Sequence, residues 1–274
     1  MHVLTNFEEI SAHTSIFMQY EIKKDRKFEY IEEGEGPVII LLHGLFGALS
    51  NWVDVVEHFR KDHKVVIPLM PIFTMPPLPN ILQLTLVGQL ARFINKFIKL
   101  KGYENYTLVG NSLGGHVALV YCTKHPENVK RLVLTASSGL YENSMGNSFP
   151  KREDYSFIQQ KVAATFYDPK HGTKELVDEC YEIVNNRLKL VRILGLAKAA
   201  IRHNMAKEIP DISMPTCLIW GKNDTITPPE VAEEFLSLLP NAELHWIDKC
   251  GHAPMMEQPQ EFNRILSDWL KRNE

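Results

Sequence analysis

A chain of 274 residues with 45% hydrophobic and 23% charged residues has the make-up of a globular protein with a sizeable core. Its 30 basic and 33 acidic residues leave a formal net charge of −3, so nothing in the balance points to nucleic acid or an anionic membrane as a partner. The four cysteines (Cys122, Cys180, Cys217 and Cys250) have no paired spacing, which argues against a zinc site or a disulfide framework and for reduced thiols. The start MHVLTNFEEISAHTS has no basic leader followed by an apolar run, and no stretch reaches the roughly 18–20 apolar residues of a membrane span. These features predict a soluble, cytoplasmic protein and leave monomer and homodimer both open.

In chain order, Lys27–Ile31 (KFEYI) and Val38–Leu42 (VIILL) read as strands, the second apolar throughout, as a strand covered on both faces should be. Val65–Ile67 is a shorter candidate, and Leu84–Lys99 carries apolar residues at helical spacing without proline. A strand at Tyr106–Val109, a helix over Leu113–Lys124 and a strand at Val129–Thr135 follow. The alternation resumes with a strand at Thr216–Trp220, a helix after Pro228–Pro229, a strand at Glu243–Ile247 and a helix over Pro259–Lys271. This pattern predicts an α/β fold with a mostly parallel, doubly wound sheet. The interval from Gly139 to Ala206 is polar and helical, and too long for a simple connection. It predicts a helical cap over 139–206, inserted in a core formed by 1–138 and 207–274.

Within LVGNSLGGHVAL, the residues Gly110–Asn111–Ser112–Leu113–Gly114 fit G-x-S-x-G, with a strand before and a helix after. Glycines permit a sharp strand-to-helix turn that lifts the serine hydroxyl out at a helix N-terminus. The unpaired N–H groups of that terminus suit a developing oxyanion. A serine needs a base, and the base needs an orienting acid. Asp224 follows the strand TCLIW in the loop GKND, and His252 follows ELHWI in the loop DKCGH. Both then fall on the sheet edge that carries Ser112. Asp248 is a rival acid, but too close in sequence to His252 to approach it from a separate loop; His43, His116 and His125 read as structural. His43–Gly44–Leu45–Phe46–Gly47 directly follows VIILL, so an N–H from Leu45, or failing that Phe46, can pair with that of Leu113 to hold an oxyanion. Gly44 and Phe46 are then candidate substrate contacts. In IPLMPIFTMPPLPN, prolines stiffen the chain after a strand, and Met70, Ile72 and Phe73 either line an apolar substrate pocket or pack a rigid surface loop.

The segments HGLFG, GNSLGG, WGKNDTITP and CGHAPMMEQP together resemble the α/β-hydrolase superfamily over roughly residues 28–140 and 210–270. The resemblance implies attack by Ser112 on a carbonyl, proton transfer through His252, orientation of the imidazole by Asp224, and no metal or organic cofactor. GNSLGG with CGH is similar to the meta-cleavage-product hydrolases, which cut carbon–carbon bonds in dienoates and use an asparagine like Asn111 near the substrate. That family usually has a tryptophan after the histidine, where this chain has Ala253, and a cap arginine where this chain has Cys180. Arg187 or Arg192 replaces that cation only with a different cap geometry. The leading expectation is therefore a serine hydrolase of a small, apolar carboxylic ester, with carbon–carbon hydrolysis of a dienoate second. A lyase or synthase and a small-molecule receptor on the same fold are further readings. Relatives that attack haloalkanes or epoxides use a carboxylate in place of the serine.

Overall fold

The computed structural model describes residues 20–46, 49–74, 86–143 and 151–274. The strands are β1 (Lys23–Asp25), β2 (Phe28–Glu33), β3 (Val38–Leu42), β4 (Lys64–Pro68), β5 (Tyr106–Asn111), β6 (Val129–Thr135), β7 (Thr216–Gly221) and β8 (Ala242–Ile247). They form one sheet in the order β1-β2-β4-β3-β5-β6-β7-β8. β1 pairs with β2 and β2 with β4 antiparallel at one edge, and from the β4–β3 pair onward every pairing is parallel. The helices are α1 (Val53–Phe59), α2 (Leu86–Lys101), α3 (Leu113–Lys124), α4 (Tyr155–Ala163), α5 (Lys174–Asn185), α6 (Arg187–Arg202), α7 (Pro229–Leu238), α8 (Pro254–Glu257) and α9 (Pro259–Arg272).

Alternation along the central strands sorts the core into two layers, because successive side chains leave a strand on opposite faces. Ile40, Leu42, Leu108, Leu132, Leu134, Leu218 and Trp220 pack with α2, α3 and α7 on one face. Ile39, Leu41, Val109, Val133, Cys217 and Ile219 pack with α1 and α9 on the other. This double cover explains why β3 and β5 are buried at nearly every position. Helix α3 is buried from Leu113 to Cys122, sandwiched between the sheet and its neighbours. α9 shows the opposite pattern, with one apolar stripe of Phe262, Ile265, Leu266, Trp269 and Leu270 turned inward.

Expected and observed elements coincide for β3, α3 and β6. The others differ by a few residues at their ends, except that residues 84–85 of the first long helix lie outside the described ones. β1, α1 and α8 were not anticipated; at three, seven and four residues they are too short to carry a readable period. Between β6 and β7 the described residues hold α4, α5 and α6 and no strand. Ile158, Val162, Val177, Cys180, Val184 and Leu190 form a separate small cluster there, against which Phe46 also packs. Among the described residues, no helix is long and apolar enough to cross a membrane.

Trp269 anchors α9, is almost fully buried and shares its layer with Trp52 and Phe262. Trp269→Ala is expected to cost about 3–5 kcal/mol of folding free energy, read from urea unfolding; a loss below about 1 kcal/mol would contradict this packing.

Candidate active site

Because β3, β5, β6, β7 and β8 run parallel, the loops after their C-terminal ends share one edge of the sheet. Ser112 joins β5 to α3 with φ 52° and ψ −119°, a conformation that costs a non-glycine residue of order 1–3 kcal/mol and persists only where its surroundings enforce it. The enforcement is visible. A Cβ on Gly114 would lie 2.2 Å from the Leu42 carbonyl oxygen, and one on Gly110 would lie 2.5 Å from that of Gly114. The start of α3 therefore rests directly on the backbone at the end of β3. The carbonyl of Ser112 accepts from the N–H of His116 and of Ser138, both at 3.1 Å, which fastens the turn to the loop after β6.

Asp224 and His252 meet. Asp224 is 2% exposed and its Oδ2 lies 2.9 Å from His252 Nδ1. Its oxygens also accept from the N–H of Ile226 and Thr227 and from the Thr227 hydroxyl, at 2.8, 3.0 and 2.7 Å. That places Nδ1 as the protonated nitrogen and turns Nε2 away from the carboxylate; Nε2 has no hydrogen-bond partner among the described residues. Burial pushes the His252 imidazole down, but the charge and hydrogen bond of Asp224, together with the charge of Glu142, outweigh it and hold the pKa above its ordinary value. Asp248 is exposed and pairs with Lys222 at 3.7 Å, so it is not the partner of His252.

The His252 loop is clamped from two sides. The Asn111 side-chain amide donates to the carbonyls of Thr135 at 3.1 Å and His252 at 3.3 Å. A Cβ on Gly44 would approach Asn111 Oδ1 to 3.2 Å and the Ser112 Cβ to 3.4 Å. Asn111, expected to touch substrate, thus spends its amide on tying the loop of His252 to the residue before Ser112. On the other side stands Glu257, 4% exposed, whose role sequence reasoning missed although it lies in CGHAPMMEQP. Its carboxylate accepts from the N–H of Gly251, Asp168 and Tyr167 at 2.6, 2.7 and 3.2 Å. The N–H of His252 in turn donates to the Thr165 carbonyl at 2.8 Å. Residues 165–168, which follow α4, are in this way stitched to the loop of His252.

The remaining candidates divide. Leu113 is buried at the first position of α3, while Leu45 and Phe46 are half-buried against the core. Met70 and Ile72 are buried core residues, which matches the packing alternative for that loop. Phe73 is half-buried, with the Lys189 ammonium 5.6 Å above its ring. Gly47 and the prolines Pro76, Pro77 and Pro79 lie outside the described residues. His43 is buried and accepts from the N–H of Met70 at 3.2 Å, a structural tie. Cys180 is buried in the small helical cluster, Arg187 is exposed and Arg192 is half-buried. Among the described residues, no group of His, Cys, Asp and Glu is arranged to hold a metal ion.

The chain is 28% identical to monoacylglycerol lipase ABHD6 of Mus musculus, over 92% of this chain and 82% of that one. It is 24% identical to the 2-hydroxy-6-oxo-6-phenylhexa-2,4-dienoate hydrolase of Comamonas testosteroni, over 97% and 99%. The crystal structure of MGS-MChE2, an alpha/beta hydrolase enzyme from the metagenome of lagoon sediments of Mar Chica, Morocco, is 48% identical and superposes with a TM-score of 0.75 over 92% of this chain and 98% of that one. The family described as alpha/beta hydrolase fold matches residues 37–169 and 183–259. With most of its length matched and the parallel sheet in place, the chain belongs to the α/β-hydrolase family and is a hydrolase.

Proposed function

We propose that this enzyme cleaves neutral, apolar carboxylic esters through an acyl-enzyme, with Ser112 as nucleophile, His252 as base and Asp224 as its orienting acid. The observation that carries this reading is the buried 2.9 Å contact of Asp224 with His252, clamped beside a serine held at φ 52°. Ser112 Oγ attacks the ester carbonyl carbon while its proton passes to His252 Nε2. The carbonyl electrons move onto the oxygen, which the N–H groups of Leu113 and Leu45 receive. As the tetrahedral centre collapses, the alcohol leaves with the proton from His252. Water, deprotonated by the same imidazole, then releases the acid and restores Ser112. Asp224 supplies a fixed negative charge to the imidazolium that forms in both steps.

Two features favour an ester over a dienoate. The charges acting on His252 are those of Asp224 and Glu142, both negative, which suits an uncharged substrate better than a carboxylate. The position where dienoate hydrolases are expected to carry a cation is the buried thiol of Cys180. Relatedness to a monoacylglycerol lipase supports the same choice. Residues 139–206 serve as the cap over Ser112, and Phe46, packed against both the main core and the small helical cluster, supplies an apolar wall between cap and core. Four free, buried cysteines support a cytoplasmic setting.

Ser112→Ala is expected to abolish turnover of p-nitrophenyl butyrate and labelling by a fluorophosphonate probe; labelling that persists would rule out Ser112 as nucleophile. The base must be neutral to accept a proton, so kcat/KM should fall on the acid side with a midpoint above 6.5, the ordinary histidine value, in line with the raised pKa of His252. A midpoint well below 6.5 would contradict that environment. Glu257→Gln is expected to cost about 2–3 kcal/mol, because one amide oxygen cannot serve three backbone donors, and to lower kcat more than it raises KM. A variant with wild-type melting temperature and kcat would remove Glu257 from the support of His252.

A further inference from the structure

Beyond Asp224, a second carboxylate stands at this site. Glu142 lies in the loop after β6, and three contacts locate it between the nucleophile turn and the acid loop. Its Oε2 accepts the Ser138 hydroxyl at 2.6 Å, and the N–H of that same Ser138 donates to the Ser112 carbonyl at 3.1 Å. The next residue, Asn143, donates its N–H to the Ile226 carbonyl at 2.7 Å and its side-chain amide to that of Thr225 at 2.9 Å. Glu142 is half-buried, as Ser112 is, so both keep a path to solvent at the same sheet edge.

The two carboxylates of the site differ in how their charge is answered. Asp224 accepts from two backbone N–H groups, one hydroxyl and the imidazole. Glu142 receives one neutral hydroxyl, and its other oxygen has no partner among the described residues. Burial outweighs the pull of the Ser138 hydrogen bond and of the His252 charge and, with the nearby charge of Asp224, holds the Glu142 carboxyl above the ordinary value, which again sets it among the proposed triad residues.

We propose that Glu142 is the specificity-determining residue that admits neutral acyl groups, or those bearing hydroxyl donors, and excludes anionic ones. A substrate carboxylate entering this edge meets an unanswered like charge in a partly desolvated place, where repulsion is stronger than in water. A neutral chain meets no such penalty, and a substrate hydroxyl can donate to the open carboxylate oxygen. This inference rests on the ester-hydrolase reading above and assigns the exclusion of anionic acyl groups to one residue.

The test compares p-nitrophenyl hexanoate with mono-p-nitrophenyl adipate, acyl chains of equal length that differ in one terminal carboxylate. The readout is the ratio of kcat/KM for adipate to that for hexanoate. Glu142→Gln is expected to raise this ratio at least tenfold, and Glu142→Lys to raise it further, whichever way the hexanoate rate itself moves. In the wild-type enzyme, raising the salt concentration from 0.05 to 0.5 M should raise the ratio too, a measurement that needs no variant to fold. A purely structural role for Glu142 would scale both rates alike; a ratio that stays within twofold in folded variants, or that ignores salt, overturns the proposal. Loss of the ester-hydrolase reading looks different: the wild-type enzyme would turn over neither ester, or Ser112→Ala would still turn over both.

Discussion

The approach of α3 to the end of β3 is the constraint on which the rest of the site depends. With 2.2 Å between the Leu42 carbonyl and any Cβ that Gly114 might carry, only glycine lets the helix start where it does. That contact sets Ser112 at φ 52° and aims the N-terminal end of a largely buried helix at the sheet edge. The strain of the turn is balanced by bonds that reach outside it, from Ser138 and His116 to the Ser112 carbonyl. A residue held this way pays no further ordering cost when a substrate arrives, which is the sense in which a proposed nucleophile is preorganised.

Around that turn, the loop of His252 is built as a bridge. Asn111 ties it to the end of β5, Asp224 holds the imidazole from the loop after β7, and Glu257 gathers the N–H groups of Gly251, Tyr167 and Asp168. The third tie is notable because Tyr167 and Asp168 belong to the helical interval between β6 and β7. A shift of that interval cannot leave the loop of His252 untouched, since the His252 N–H is itself bonded to Thr165. Residues 165–168 and the backbone that carries the imidazole are thus joined by hydrogen bonds.

Charge within the site and charge over the whole chain carry different messages. A net −3 spread over 274 residues says little about a ligand. At the imidazole, however, the charges that matter are two carboxylates, one fully answered by donors and one left largely open. In the role proposed for Glu142, local imbalance of this kind sorts substrates by charge even though the molecule as a whole is nearly neutral.

The sequence by itself determined the fold class, the sheet-edge placement of Ser112, Asp224 and His252, and the order in which they occur. Those features are local: apolar runs mark the covered strands, glycines mark the sharp turn, and each candidate sits within a few residues of its own strand end. Tertiary structure alone decided what Glu257, Asn111 and Glu142 touch. Glu257 meets partners about 90 residues away, and Asn111 meets His252 across 141 residues. A buried carboxylate and an exposed one look alike in a sequence; only the packing that removes water from one and leaves donors out of reach of another gives each its task.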